Sequence, residues 1–395
     1  MTSLNIISIN IIDHFTSQQG NFCLIDWLLA ENYLAYSDYE NWRYANVKYV
    51  DEKIQLEKKS IEIMVTETQN HCRSLGLVSE PQIYHCWNTN SNQTLKASAS
   101  SMINQQLMQR WIRPQDVPQL DLFMDNSAQM AEYDVINALA DRQFESAQQA
   151  LTKLQQVDQN CKQLGAYQDL VNYGLHMTTN HLIEQQSLIA EFAGLKNEVV
   201  PLARDTLASQ ARDYLSFAWQ RLAKNMQNLA FDPLNPELHQ SFALMQIPDM
   251  DATIACLEKN AQLFDEYCLL KRLVDCYWLA HQQEKCLLGW CKLLEMDISE
   301  TLTSIQHDDG EIYQLWQDYW EECENWPDDL FAAYVLIKKP MLVHFSDEIN
   351  LLTDQVNLTV VELLKVKING DDEISQRKAL QQLSPQLLGL YLKNT

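Results

Sequence analysis

Residues 308–329, DDGEIYQLWQDYWEECENWPDD, hold nine carboxylates and no lysine or arginine, interleaved with Tyr313, Trp316, Tyr319, Trp320 and Trp326. Carboxylates draw a cationic partner from a distance, and aromatic faces hold a desolvated cation at contact. Tyr313, Trp316 and Trp320 are spaced three and four apart, which places them on one face of a helix. Two readings follow. Either that face is core and the acids are its solvated side, or the segment is an acidic, aromatic-lined surface for a basic protein segment. On the second reading the partner-binding residues are Tyr313, Trp316, Tyr319, Trp320, Glu321, Glu322, Glu324 and Trp326.

Other reactive residue types are scattered. His71-Cys72 and His85-Cys86 supply two donor pairs, but neighbours on a helix point in different directions. The expectation is a buried cysteine in each helix face with its histidine at the rim, not a zinc site. His181 and Glu184 are placed to share a helix face near His176, without a nucleophile beside them. The chain lacks a glycine-rich phosphate loop, a G-x-S-x-G turn, an H-E-x-x-H pair and any glutamate followed three positions later by histidine. No catalytic, cofactor-binding or metal-ligating residue is therefore assigned, and a non-catalytic protein is expected.

The net charge of −24 opposes a phosphate polymer, and no basic patch offsets it. The expected partner is a protein, basic in character, with no direct contact to nucleic acid. No run of about 18 apolar residues is present, so no membrane span is expected. The first basic residue is Arg43, which fits no secretory signal, and a cytoplasmic location is expected. The ten cysteines then read as reduced thiols, with Cys286 and Cys291 as packing positions.

The elements that must carry these residues are helices. Only nine glycines and ten prolines punctuate 395 residues, far too few for the many turns of a sheet-rich protein. Residues 52–75 read as a helix stopped at Gly76, 88–94 as a loop, and 111–126, with Pro114 and Pro118, as a connector. Asn235-Pro236 and Ser384-Pro385 each read as a cap followed by a first-turn proline. The six rings at Tyr33, Tyr36, Tyr39, Trp42, Tyr44 and Tyr49 read chiefly as the core of an N-terminal domain, with a contact surface as the alternative.

From residue 127 the pattern becomes helix, turn, helix. Phe144, Ala147, Leu151, Leu154 and Val157 form one apolar stripe, joined through a turn at 141–143 to a preceding helix at 135–140. A comparable unit lies at 279–297. Shifted by 139, Ala147 meets Cys286, Leu151 meets Trp290, Leu154 meets Leu293 and Val157 meets Met296, while Glu145/Glu284, Lys153/Lys292 and Asp158/Asp297 are identical. The Leu-Ala pair ahead of each turn is offset by 140, which predicts a later turn one residue shorter. These hairpins resemble tetratricopeptide repeats, with a small residue early in the second helix, large apolar residues one and two turns on, and a closing Asp. The offset is close to four such repeats. The closing proline and the first-helix Trp-Leu-Gly set of that family are absent, so the resemblance implies stacking architecture and not a peptide-binding site.

The expected fold is all-α: an N-terminal helical domain (1–120), stacked tetratricopeptide-like hairpins forming an α-solenoid (121–345) and a helical cap (346–395). The expected function is an interaction scaffold or adaptor. Two rivals stand beside it: an acidic inhibitor that mimics nucleic acid and blocks a DNA-handling protein, and a helical enzyme whose site carries no familiar signature.

Overall fold

In a computed structural model the Asp141–Gln143 turn closes a hairpin between α6 (Asn126–Ala140) and α7 (Phe144–Val157). Residues 7–19, 21–87, 93–113, 126–179, 183–247, 249–306, 310–345 and 352–394 are described. Phe144, Ala147, Leu151 and Leu154 are buried and Val157 is half exposed, so the stripe ends one turn before its last member. Each large apolar side chain so placed contributes about 1.5–3 kcal/mol.

The second hairpin, α14 (Tyr267–Leu279) and α15 (Gln283–Met296), repeats the first at the level of the backbone. Arg142 and His281 both take left-handed backbone, with φ of 60° and 55°. Gln143 (φ −96°, ψ 66°) and Gln282 (φ −91°, ψ 66°) precede the second helix in the same conformation. The hydrogen bonds Asp141 N to Asn137 O, Arg142 N to Leu139 O and Gln143 N to Ala138 O recur 139 positions later from Ala280, His281 and Gln282. The expected shorter turn is therefore wrong. Both turns have the same length, and the Leu-Ala match at 140 is a coincidence of composition, because hydrogen-bond register and not residue identity fixes a turn. Gly289 lets the later pair approach closely: a Cβ there would lie 2.4 Å from Val274 Cγ2.

The backbone divides into two compact units, 1–249 and 250–395. The first starts with α1 (Ile9–Gln19), α2 (Leu24–Ala30), α3 (Tyr36–Arg43), α4 (Lys58–Ser74) and α5 (Ser101–Leu107). Gly76, at φ +72°, follows the end of α4 as the left-handed stop signal predicts. Among these helices lies one small antiparallel sheet in the order β1 (Asn21–Cys23), β3 (Gln109–Ile112), β2 (Val78–Pro81), with Phe22 opposite Trp111 and Ser79 opposite Trp111 on the other side. Trp111 and Ile112, expected in a connector, are thus sheet residues; the rest of that connector with Pro114 and Pro118, and most of the loop 88–94, lie outside the described residues. The chain is nonetheless all-α, since these strands are three or four residues long.

After the first hairpin come α8 (Leu164–Thr179), α9 (Gln185–Gly194), a π-helical turn at Leu195–Val199, α10 (Val200–Leu207) and α11 (Ala211–Asn225). Asn235-Pro236 does not start a helix: Asn235 Nδ2 donates to Asp232 in a turn, and His239 instead caps α12 (Gln240–Met245) by accepting from Ser241 N.

The second unit continues from α13 (Met250–Glu258), α14 and α15 through α16 (Ile298–Gln306), α17 (Glu311–Glu322) and α18 (Phe331–Lys338). Then come α19 (Gln355–Asn369), α20 (Ile374–Leu383) and α21 (Pro385–Lys393), the last capped by Ser384 Oγ from Leu387 N at 3.4 Å as its Ser-Pro pair predicts. Glu295 of α15 accepts from Thr353 N (2.8 Å), Asp354 N (3.1 Å) and Asn357 Nδ2 (2.9 Å), which anchors the start of α19. Among the described residues no helix is long and apolar enough to cross a membrane.

Candidate functional site

Helical geometry divides the aromatic residues of α17. Ile312, Leu315, Trp316 and Tyr319 form its buried stripe. At 100° per residue, positions 313 and 320 fall together on the flank of that stripe. Tyr313 is accordingly half buried and Trp320 is 60% exposed, while Trp316 is 4% and Tyr319 2% exposed. The Trp316 ring packs 4.8 Å from Phe331, and Tyr319 lies 5.1 Å from Tyr334. Tyr319 Oη donates to Pro327 O at 2.7 Å, tying the following turn with half-buried Trp326 to the helix. The structure thus places Trp316 and Tyr319 in the core and brings Trp320 to the surface, its ring edge-on to Trp316 at 5.8 Å.

The carboxylates of the segment divide as well. Lys338 pairs with Glu322 at 2.7 Å and Lys339 with Glu311 at 2.5 Å. Asp318, Glu321, Glu324, Asp328 and Asp329 are exposed, and none forms an ion pair among the described residues. Asp308 and Asp309 lie outside the described residues. A fixed indole beside uncompensated carboxylates is chemically suited to holding a guanidinium or ammonium group.

The first unit contains a second concentration of charge, buried and internally matched. Arg43, at the end of α3, is 1% exposed. Its Nη2 meets Asp141 Oδ1 at 2.6 Å; its Nη1 meets Asp213 Oδ2 at 2.6 Å and Tyr39 Oη at 2.7 Å; the guanidinium lies 4.4 Å from the Trp87 ring centre. Arg142, turned by its left-handed backbone, stacks 3.6 Å from the same ring centre and donates to Glu40 (3.1 Å) and Tyr36 (3.0 Å). Arg212 bridges Asp26 (2.5 Å) and Asp213 (3.1 Å). These pairs cross position 120, so residues of the expected N-terminal domain are fastened to α11 and to the first hairpin.

Burial alone would raise the Asp213 carboxyl, but Arg212 and Arg43 together hold it below the usual carboxylate range. For Asp26 burial prevails over Arg212 and its carboxyl is raised. The hydrogen bond with Asp141, 2.9 Å from Nδ1, raises His85 above the ordinary imidazole value against the effect of burial. With three guanidiniums set against Asp26, Glu40, Asp141 and Asp213, the cluster's chemistry is that of a clamp. Sequence reasoning named Arg43 and the rings but missed this cluster, because its acids come from 98 and 170 residues away. The one local signal is an arginine inside an aromatic run: a buried guanidinium demands buried carboxylates somewhere else in the chain.

The remaining donors are dispersed. Cys72 is buried on α4 as expected, but His85 and Cys86 lie in an extended segment bridged to Thr94, not on a helix. No group of three or more His, Cys, Asp or Glu is arranged to hold a metal among the described residues. His176 Nε2 is 3.8 Å from Glu191, and His181 lies outside the described residues. Cys286 and Cys291 are packing positions, 4% and 0% exposed. Compared with protein-family models, with curated proteins and with solved structures, the chain finds no match in any of the three.

Proposed function

We propose that the chain is a non-catalytic interaction scaffold built of stacked helical hairpins, and that the acidic flank of α17 around Trp320 captures a basic segment of a protein partner. The observation that carries the reading is an exposed indole held by a buried neighbour and flanked by carboxylates without ion-pair partners. An indole held in place loses little conformational entropy on binding, and Trp is enriched among residues that dominate interface energies. Repetition of one hairpin geometry at 139 residues supports the scaffold half of the proposal, because such units bury their faces on neighbours and leave an extended surface.

The test is a calorimetric titration with a synthetic peptide of alternating arginine and alanine at two salt concentrations. The reading predicts binding that weakens with salt and falls about tenfold or more in Glu321→Lys/Glu324→Lys. Glu322 is left intact because it already serves Lys338. Equal affinity of the double variant and the parent chain overturns the proposal.

A further inference from the structure

The first unit also holds a cleft of about 310 Å³, within the range of roughly 300–1,000 Å³ typical of small-molecule sites. Its walls come from β3, α6, α8 and the α10–α11 connection, and include Arg110, Glu132, Tyr133, Tyr167, Thr206 and Ala208.

Three observations point to a ligand. Thr206 is 8% exposed and lines the cleft, and its hydroxyl has no hydrogen-bond partner among the described residues. Thr152 and Thr301 return their hydroxyl to the carbonyl four residues back, whereas Thr68 of α4, like Thr206, does not. The Thr206 oxygen is not sealed from solvent, so it is open to water or to a ligand in the cleft. Ala208 has φ +49° and ψ −123°, a conformation that favours glycine, and it lines the cleft next to Thr206 and Leu207. Strain of this kind collects at binding sites.

The third observation is a pair of opposite charges on the lining. Arg110 gives Nε and Nη2 to Glu80, at 3.1 and 2.8 Å, and Nη2 also to Tyr133 Oη at 3.0 Å, which leaves Nη1 for a ligand. Glu132 has no ion-pair partner among the described residues, and one of its oxygens accepts from Tyr167 Oη at 2.8 Å. Because burial pushes the Tyr167 hydroxyl up, it stays a donor at neutral pH and helps to orient Glu132.

We infer that this cleft binds a free α-amino acid. The ligand's ammonium meets Glu132, its carboxylate meets Arg110 Nη1, Thr206 Oγ1 bonds one of these two groups, and the Tyr133 ring covers the side chain. A simple amine would leave Arg110 unanswered, and a simple carboxylate would face Glu132. The site is independent of the acidic flank of α17.

Calorimetry of the full chain against each proteinogenic amino acid tests this. At least one is expected to bind with Kd on the order of 1 mM or tighter. Its N-acetylated and its decarboxylated analogues, and the variants Glu132→Gln and Thr206→Val, are each expected to bind about tenfold more weakly. Circular dichroism establishes that the variants are folded, and Thr206→Val, which removes no ion pair, keeps the test decisive if Glu132→Gln is unstable. Absence of binding by every amino acid, or equal binding by the analogues or by folded Thr206→Val, overturns the inference.

Discussion

Replacing Arg43 by Leu isolates the role of the buried charge cluster. The guanidinium is sealed from water and holds Asp141 and Asp213, whose side chains are 10% and 7% exposed. Its removal strands two carboxylates in a site built for three cations. Breaking a buried pair from one side costs about 3–5 kcal/mol. The lower end applies here, because Asp213 keeps Arg212 and Tyr39 while Asp141 keeps His85. About 3 kcal/mol corresponds to amide exchange on the order of a hundredfold faster in the elements the cluster fastens. Hydrogen exchange with mass spectrometry of peptides covering α3, the 141–143 turn and α11 reads that change. Adding Asp141→Asn and Asp213→Asn to Arg43→Leu is expected to recover part of the loss, since neutral amides no longer carry a buried charge. Asp213 adds a pH signature. Its folded carboxyl lies below the unfolded value in the parent chain, so the stability it contributes is present above about pH 4 and is lost as pH falls through the folded pKa. In Arg43→Leu that contribution shrinks, and the variant's deficit narrows on acidification. Exchange within threefold of the parent, or no recovery in the triple variant, would refute the clamp.

Gly289→Ala sets a methyl 2.4 Å from Val274 on the facing helix; overpacking of about 1–3 kcal/mol outweighs the better helix propensity of Ala, so the urea midpoint falls, and Val274→Ala in the same chain relieves it. His85 is expected to titrate above the free imidazole value in an NMR pH series and to return toward it in Asp141→Asn. Because its folded pKa is raised, its stabilisation is full below about pH 6.5 and declines as pH rises through the folded value, so His85→Phe flattens the fall in urea midpoint between about pH 6 and about pH 8. Burial pushes the thiols of Cys23, Cys72 and Cys276 up to about 12, so iodoacetamide mapped by mass spectrometry is expected to label half-exposed Cys161 and Cys268 well before these three.

The helical class was legible because few glycines and prolines interrupt long apolar periodicities, and the stripe from Phe144 shows in sequence the face it buries. The hairpin repeat was legible in its second helices, where packing constrains residue size. Its turns were not, because left-handed backbone at Arg142 and His281 is carried by residues that give no turn signal. The small sheet was missed because β1, β2 and β3 are too short for alternation to register and pair across 28 to 91 residues. In α17 the three-four spacing correctly grouped Tyr313 with Trp320 but also included Trp316. Only the position of the buried stripe decides which ring of such a group faces water, and that is set by Phe331 and Tyr334 of α18. The clamp on Arg43 depends on long-range partners that no local pattern announces.

The most direct measurement of the central claim compares Trp320→Ala with Trp278→Ala in binding the arginine-alanine peptide. Both indoles are exposed in the second unit, at 60% and 41%. The account predicts that Trp320→Ala weakens binding about tenfold or more while Trp278→Ala leaves it unchanged. Equal affinity of the two variants would contradict it.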